Sequence, residues 1–496
     1  MRIQKLTLLS LLICLPITAQ NLKIKVLNSK DNLPLSNVSV DVNNKMQLTT
    51  NDEGTFDLAK EFQIDESTLT IKLLGFETQK ITLKQINDQN QTIKLNEVIY
   101  QLESVSINNQ KPNPLAIMEE VNKRLESNYV ADGKWEKSRL FFKESYNFKA
   151  KQLEIDLKKS SGFSKKQVDV IENELKNYTD KLINKNSKSS QEILTDYYSN
   201  YKKDKTHSPK MDVIKAISIN ENGLDAESNE INKGLSDLLL KHLDSTKYYR
   251  IKSGWFGSRD TISLKKDFRK KHKKSNLAIT KKTFSSFLEN KNLSLANFDF
   301  ISEPEKYNYT FKTKMEDENN NTVYVLDFKP KKSSADYTGT LHITENEFAI
   351  TKCSYNLAEG ENVMSANLKF LLGLKFKENV DTGLLTFKKD NETNKFRLQY
   401  VSQESGKYFY IDRPVKFIEL AKTDRDVFSF DLKIEADNII KTELLVVSRS
   451  NPQAITFDDQ KEKDFDYLTI KKYDPSIWKN YISIEPNEAM RKINRG

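Results

Sequence analysis

The side chains able to do chemistry in this 496-residue chain are four histidines, two cysteines and 70 acidic residues. Their spacing organises little of that chemistry. His207, His242, His272 and His342 are scattered, without the short spacings that bring two ligands to one metal, and no HExxH is present. There is no G-x-S-x-G elbow, phosphate-binding loop or dinucleotide fingerprint. Cys353 lies in an alternating strand-like run, where a thiol is far more often a small core hydrophobe than a nucleophile. His342, between Leu341 and Ile343, reads as a surface or internally satisfied histidine rather than a ligand. Carboxylates are abundant enough to leave a glycosidase pair open, which would need two of them about 5 to 9 Å apart in space. The expectation is a protein that is not an enzyme and needs neither cofactor nor metal.

What the residues offer instead is docking chemistry. Lys265, Lys266, Arg269, Lys270, Lys271, Lys273 and Lys274 make seven of the ten residues from 265 to 274 basic. Such a run suits anionic headgroups or an acidic partner, and equally a solvated face kept for solubility. The tail from Asp464 is rich in aromatics, and Trp478 and Tyr481 are expected to anchor it on the sheet or on a partner. Gly254-Trp255-Phe256-Gly257 is an aromatic turn, read as a buried corner before a ligand edge.

The elements that position these groups are mostly strands. From Thr322 to Leu357 three runs alternate with period two, with breaks at Pro330 and at the polar turn Thr344 to Glu347. Gly339 within the second run marks a bulge or a close backbone approach. Strand patterns continue over 365–376, 382–388, 395–411, 415–420, 428–434 and 441–448. So many strands predict a strongly curved antiparallel half-barrel with helices laid across its concave face. Between 108 and 300 the chain is expected to be mixed and helical. Leu115, Met118, Val121 and Leu125 form one apolar stripe, and Val168, Ile171, Leu175, Tyr178 and Leu182 another. The pattern from Lys165 to Lys205 reads as two helices with a turn near 184–191, followed by strands over 211–220 and 248–253 and helices over 233–243 and 284–298. Residues 22–107 carry short strands with turns at regular spacing, which indicate a β-sandwich. The fold class is therefore mainly β with α (α+β): an N-terminal β-sandwich followed by a large curved antiparallel sheet with helical insertions.

Composition supports a folded chain, since charged residues are 30% but 26 Phe and 20 Tyr supply apolar mass. Residues 1–19 form an export segment: Arg2 and Lys5, a short apolar run, then Ala19 before the cleavage point. A rival reading makes Cys14 a lipidated residue, although Ile13 stands where a small side chain is usual. After cleavage only Cys353 remains, so no internal disulfide is available. No later run approaches the length of a transmembrane helix, and nucleic acid is not an expected partner. The expected divisions are 1–19 signal peptide, 20–107 sandwich, 108–300 mixed helical region, 301–449 curved sheet and 450–496 tail.

Pro34-Leu35 followed by Val38, Val40 and Val42, then Thr49-Thr-Asn-Asp-Glu-Gly54-Thr-Phe56 and Leu74-Gly75-Phe76, resembles the carboxypeptidase-regulatory-like, transthyretin-like domain of Bacteroidetes-type bacteria. That domain fronts many outer-membrane and surface proteins, and the resemblance implies an accessory module without catalytic residues. More loosely, Tyr324 to Phe328, Tyr337 to Ile343 and Phe348 to Ile350 resemble LolA-like half-barrels, which implies a hydrophobic cleft or a docking face. The expectation is an exported protein, periplasmic or outer-membrane associated or at the cell surface. It would act as a non-catalytic accessory subunit docking to an outer-membrane protein machine. The alternatives are a carrier of lipid in the concave sheet and an unrecognised hydrolase acting on glycans.

Overall fold

The computed structural model describes residues 22–97 except 36–37, 44–45, 52, 59–61 and 74–75; 112–129; 136–199 except 162 and 185–186; 209–220; 242–243; 247–253; 256–257; 262–263; 275–288; 294–316; 321–420 except 391–392; 427–450; 457–471; and 475–478. Two compact units emerge, Met1–Ile99 with Tyr473–Gly496, and Tyr100–Lys472. The molecule is mainly β, with several sheets of which one is large.

In the first unit the short strands follow the sequence pattern closely. They are β1 (Leu22–Asn28), β2 (Ser39–Val42), β3 (Met46–Thr49), β4 (Thr55–Leu58), β5 (Thr68–Lys72), β6 (Gln79–Thr82) and β7 (Thr92–Leu95), with helix α1 (Leu83–Asp88) before the last. One sheet runs β4-β1-β7 and the other β3-β2-β5-β6. Alternation puts Ile24 and Val26, Val40 and Val42, Phe56 and Leu58, Leu69 and Ile71, and Ile93 and Leu95 into a single core. Gly54 turns the chain into β4 at φ +69°, and a Cβ there would lie 2.4 Å from the Val26 carbonyl oxygen. Helix α1 starts on a capping box, the Thr82 side chain accepting from Gln85 N while the Gln85 side chain reaches back to the Thr82 N–H.

The second unit holds a sheet of fifteen strands among the described residues. Helix α2 (Pro114–Asn128) precedes β8 (Glu136–Ser160), α3 (Lys165–Asn184), β9 (Ser187–Ser199), β10 (Lys210–Asn220), β11 (Tyr248–Ser253), β12 (Phe256–Gly257) and β13 (Ile262–Ser263). Helices α4 (Asn276–Leu288) and α5 (Asp299–Ser302) then lead to β14 (Tyr307–Glu316), β15 (Thr322–Pro330), β16 (Tyr337–Thr344) and β17 (Ile350–Leu357). The chain closes with β18 (Met364–Leu368), the one-turn helix α6 (Lys369–Leu372), β19 (Leu374–Lys389), β20 (Phe396–Glu419), β21 (Val427–Ser450) and β22 (Leu468–Ile470). The main path is β14-β15-β16-β17-β19-β20-β21-β8-β9-β10-β22.

Several expectations are corrected at this level. Residues 187–199 are strand β9, not a second helix, because they pair along their length with both β8 and β10. Strands β8 to β13 join the same sheet that carries β14 to β21, with α3 between β8 and β9, so the region expected to be mixed contributes strands as well as helices. The runs 395–411 and 415–420 are one strand, since Pro414 faces Asp431 without breaking the register to β21. The helix expected over 284–298 starts earlier and ends at Leu288. The pattern over 365–376 is not continuous strand but β18, a turn and the start of β19. The export segment, Val98 to Ile107 and most of 233–243 lie outside the described residues.

One face of the large sheet carries the helices. Met118 and Val121 of α2, Phe284 of α4 and Phe300 and Ile301 of α5 join Leu326, Phe328, Leu341, Cys353, Leu385, Val401 and Leu444 in one core. Ile117, not Leu115, completes the buried stripe of α2, since Leu115 is 41% exposed. The far halves of β8, β20 and β21 run beyond this core and are covered by α3. Ile171 and Leu175 pack there with Phe417, Phe428 and Phe430, and Leu182 with Phe148 and Ala436.

Candidate functional site

The densest chemistry of the second unit lies where α5 meets the helix-bearing face. Phe300 stacks on Phe328 with ring centroids 4.5 Å apart, and lies 6.1 Å from Tyr307, 5.8 Å from Tyr337 and 5.6 Å from Tyr355. Large rings in such numbers bring hydroxyls with them, and each finds a partner. Tyr307 Oη donates to Asp299 Oδ1 at 2.8 Å and Tyr337 Oη to Asp381 Oδ2 at 2.7 Å. Gln403 Nε2 donates to Tyr355 Oη at 3.2 Å, and Tyr309 Oη donates to the Phe300 carbonyl.

Burial raises the carboxyls of Asp299 and Asp381 above their ordinary range, with the tyrosine hydrogen bonds pulling partly back. Burial likewise raises Glu144, which accepts from Tyr146 Oη at 2.6 Å. A raised carboxyl has the first qualification of a general acid. These carboxyls are already engaged, however, and Tyr307 and Tyr355 are each only 3% exposed. The contact path between Asp299 and Asp381 runs through the rings of Tyr307, Phe300 and Tyr337. The arrangement is a packed polar and aromatic core, with each acid held by a hydroxyl.

The groups singled out from sequence fall elsewhere. Cys353 is fully buried and its thiol is pushed well up by desolvation. His342 is 9% exposed, and desolvation together with Lys352 and Lys312 lowers its pKa to about 3. Its Nδ1 has no hydrogen-bond partner among the described residues. His242 Nε2 pairs with Glu174 Oε2 at 2.7 Å, while His207 and His272 lie outside the described residues. Among the described residues no group of three or more His, Cys, Asp or Glu could hold a metal ion. Lys265, Lys266, Arg269, Lys270, Lys271, Lys273, Lys274 and Tyr481 also lie outside the described residues. Trp478 closes a short 3-10 turn, Pro475–Trp478, and is 4% exposed, so its ring is already covered within the chain. Phe256 and Gly257 pair with Ser253 and Lys252 as the short strand β12.

Sequence patterning missed the most exposed apolar feature of the described residues. Among the described residues strand β18 pairs only with β19, and all five of its residues are exposed. At the turn beyond it Phe370 is 100% and Leu371 71% exposed, with Val363, Met364 and Leu368 exposed beside them. Gly373 sets the turn at φ +65°, where a Cβ would lie 2.0 Å from the Asp412 carbonyl oxygen. Asp412 N donates to the Gly373 carbonyl at 2.8 Å, which ties the turn to β20. Beside the turn lies an open cavity of about 410 Å³, bordered by Lys369 to Gly373, Phe370 and Leu371 included, and by Tyr410 and Asp412 to Pro414. The one signal in the sequence is Gly373 itself, inside an otherwise apolar run.

No protein-family model matches the chain. No curated protein matches it either. Among solved structures the chain is similar to a DUF1329 family protein from Desulfovibrio piger, at 8% identity and a TM-score of 0.19, with 70% of this chain and 96% of that one covered. So low a score carries no argument about function. Among the described residues no helix is long and apolar enough to cross a membrane.

Proposed function

We propose that this protein is a non-catalytic accessory subunit of a bacterial envelope, exported by residues 1–19 and docking to an outer-membrane protein machine. The observation that carries the reading is the filled helix-bearing face of the large sheet, where α2, α4 and α5 bury Met118, Val121, Phe284 and Phe300 against the strands. A sheet whose apolar face is occupied by its own chain acts as a scaffold, and presents edges and outer surfaces to others. Tyr307 of the first strand and Met211 of β10 belong to one hydrophobic cluster, which supports the reading of the sheet as a curled half-barrel. The two small sheets around one core support a transthyretin-like sandwich as the leading module.

The same filled face weighs against the second reading, a carrier of lipid. A carrier needs an apolar volume of several hundred Å³ that the ligand, not the protein, fills. The hydrolase reading is weakened by the tyrosine hydroxyls already held by Asp299 and Asp381.

The experiment is affinity purification of the tagged protein from detergent-solubilised envelopes, with mass spectrometry of proteins and lipids together. Recovery of an outer-membrane barrel at near-stoichiometric amount is the expected result. A lone protein overturns the reading, and a lone protein with stoichiometric lipid replaces it with the carrier.

A further inference from the structure

The turn between β18 and β19 exposes apolar side chains that the fold does not use. From Met364 to Lys377 the sequence is MSANLKFLLGLKFK, with seven large apolar residues, three lysines and no carboxylate. In a chain with 70 acidic residues that gap is a local departure from the prevailing charge balance. Phe370 stands wholly in solvent at the apex, with Leu371 beside it.

We propose that this turn is a membrane-surface element, in which Phe370 and Leu371 enter the acyl boundary of an anionic bilayer while Lys369, Lys375 and Lys377 meet its headgroups. Basic residues alternating with Phe and Leu are the composition of segments that lie in a bilayer interface. The pattern of side chains argues for lipid over protein. Both faces of β18 are exposed, and the apolar side chains that crown the turn are flanked by three lysines, which suits acyl chains beneath anionic headgroups.

The tip is also pre-ordered. The αL turn at Gly373 and its tie to Asp412 fix the backbone, and Lys369 Nζ rests 4.1 Å from the centre of the Tyr410 ring. Insertion therefore demands little further ordering of the chain. This proposal stands independently of the outer-membrane partner proposed above.

The test is flotation of the purified full chain with vesicles of phosphatidylcholine, alone or with one third phosphatidylglycerol. The chain is expected to float with the anionic vesicles, less so at high salt. F370S and L371S should each weaken binding about tenfold or more, the factor expected for withdrawing one large apolar side chain from an apolar phase. Because both side chains are exposed, neither substitution should move the melting temperature. Trp fluorescence of F370W should shift to the blue with anionic vesicles. The proposal is overturned if the wild type does not float, if F370W shows no shift, or if the double variant F370S/L371S binds as the wild type does. That last result would transfer the binding to another surface, the basic run at 265–274 included.

Discussion

Gly339 has no room for a side chain. A Cβ there would lie 2.1 Å from the Ser354 carbonyl oxygen and 2.8 Å from the Phe328 ring. The strand bulge in this hairpin sits instead at His342 and Ile343, so of the two roles its sequence context allows, Gly339 takes the close approach. Gly339→Ala should cost about 3 kcal/mol, the upper end for overpacking, because the opposing oxygen is backbone and cannot swing aside; urea unfolding measures it. His342 makes a pH-dependent prediction. Its folded pKa of about 3 lies below the ordinary imidazole value of 6.5, so the unfolded chain binds a proton that the folded chain refuses. The stability that comes from keeping this ring neutral is whole above pH 6.5 and is lost as pH falls toward 3, at up to about 1.4 kcal/mol per pH unit. His342→Leu should flatten the slope of stability against pH in that window. An unchanged slope would mean that His342 is not held neutral by the fold.

Among the elements, α3 is the one whose role was most legible. Its spacing at 168, 171, 175, 178 and 182 required a covering partner, and Ile171, Leu175 and Leu182 are buried against the far halves of β8, β20 and β21. Leu175→Ala should therefore cost about 2–5 kcal/mol in equilibrium unfolding. Glu172→Ala, on the exposed side of the same helix, should stay within about 0.5 kcal/mol. Where period and pairing agree the sequence is readable, as in β15 to β17. Elsewhere tertiary pairing decided. Lys, Ser and Gln over 188–191 carry little strand preference of their own, yet hydrogen bonding to β8 on one side and β10 on the other makes them strand. The turn at 369–372 was hidden for the opposite reason. Apolar residues continue through it, and only the backbone of Gly373 distinguishes a turn from a strand. Of the residues chosen for docking, Trp478 alone is described, and its covered ring shows why an aromatic tail does not by itself indicate a partner.

The two units differ in how much of the chain each needs. Among the described residues, every buried member of the hydrophobic cluster between the first unit's two sheets lies between Ile24 and Leu95, in a segment without cysteine, while the buried Trp478 of that unit lies outside it. A core of that size without staples supplies a few kcal/mol at best, about 3–5, yet its contacts are local and its two sheets are complete within it. The second unit is built the other way. Strand β21, near the end of the chain, pairs with β20 on one side and with β8, some 290 residues earlier, on the other. Removing it would strip one edge of β8 of its backbone partners along its length and take Leu444 and Val446 out of the core. Ending the chain at residue 420 should therefore abolish the cooperative unfolding of the second unit while leaving 20–107 folded. Limited proteolysis should then yield a resistant N-terminal fragment, with a dispersed amide spectrum when it is produced alone. A fragment digested as fast as the rest would show that the first unit's core is completed by residues outside 20–107.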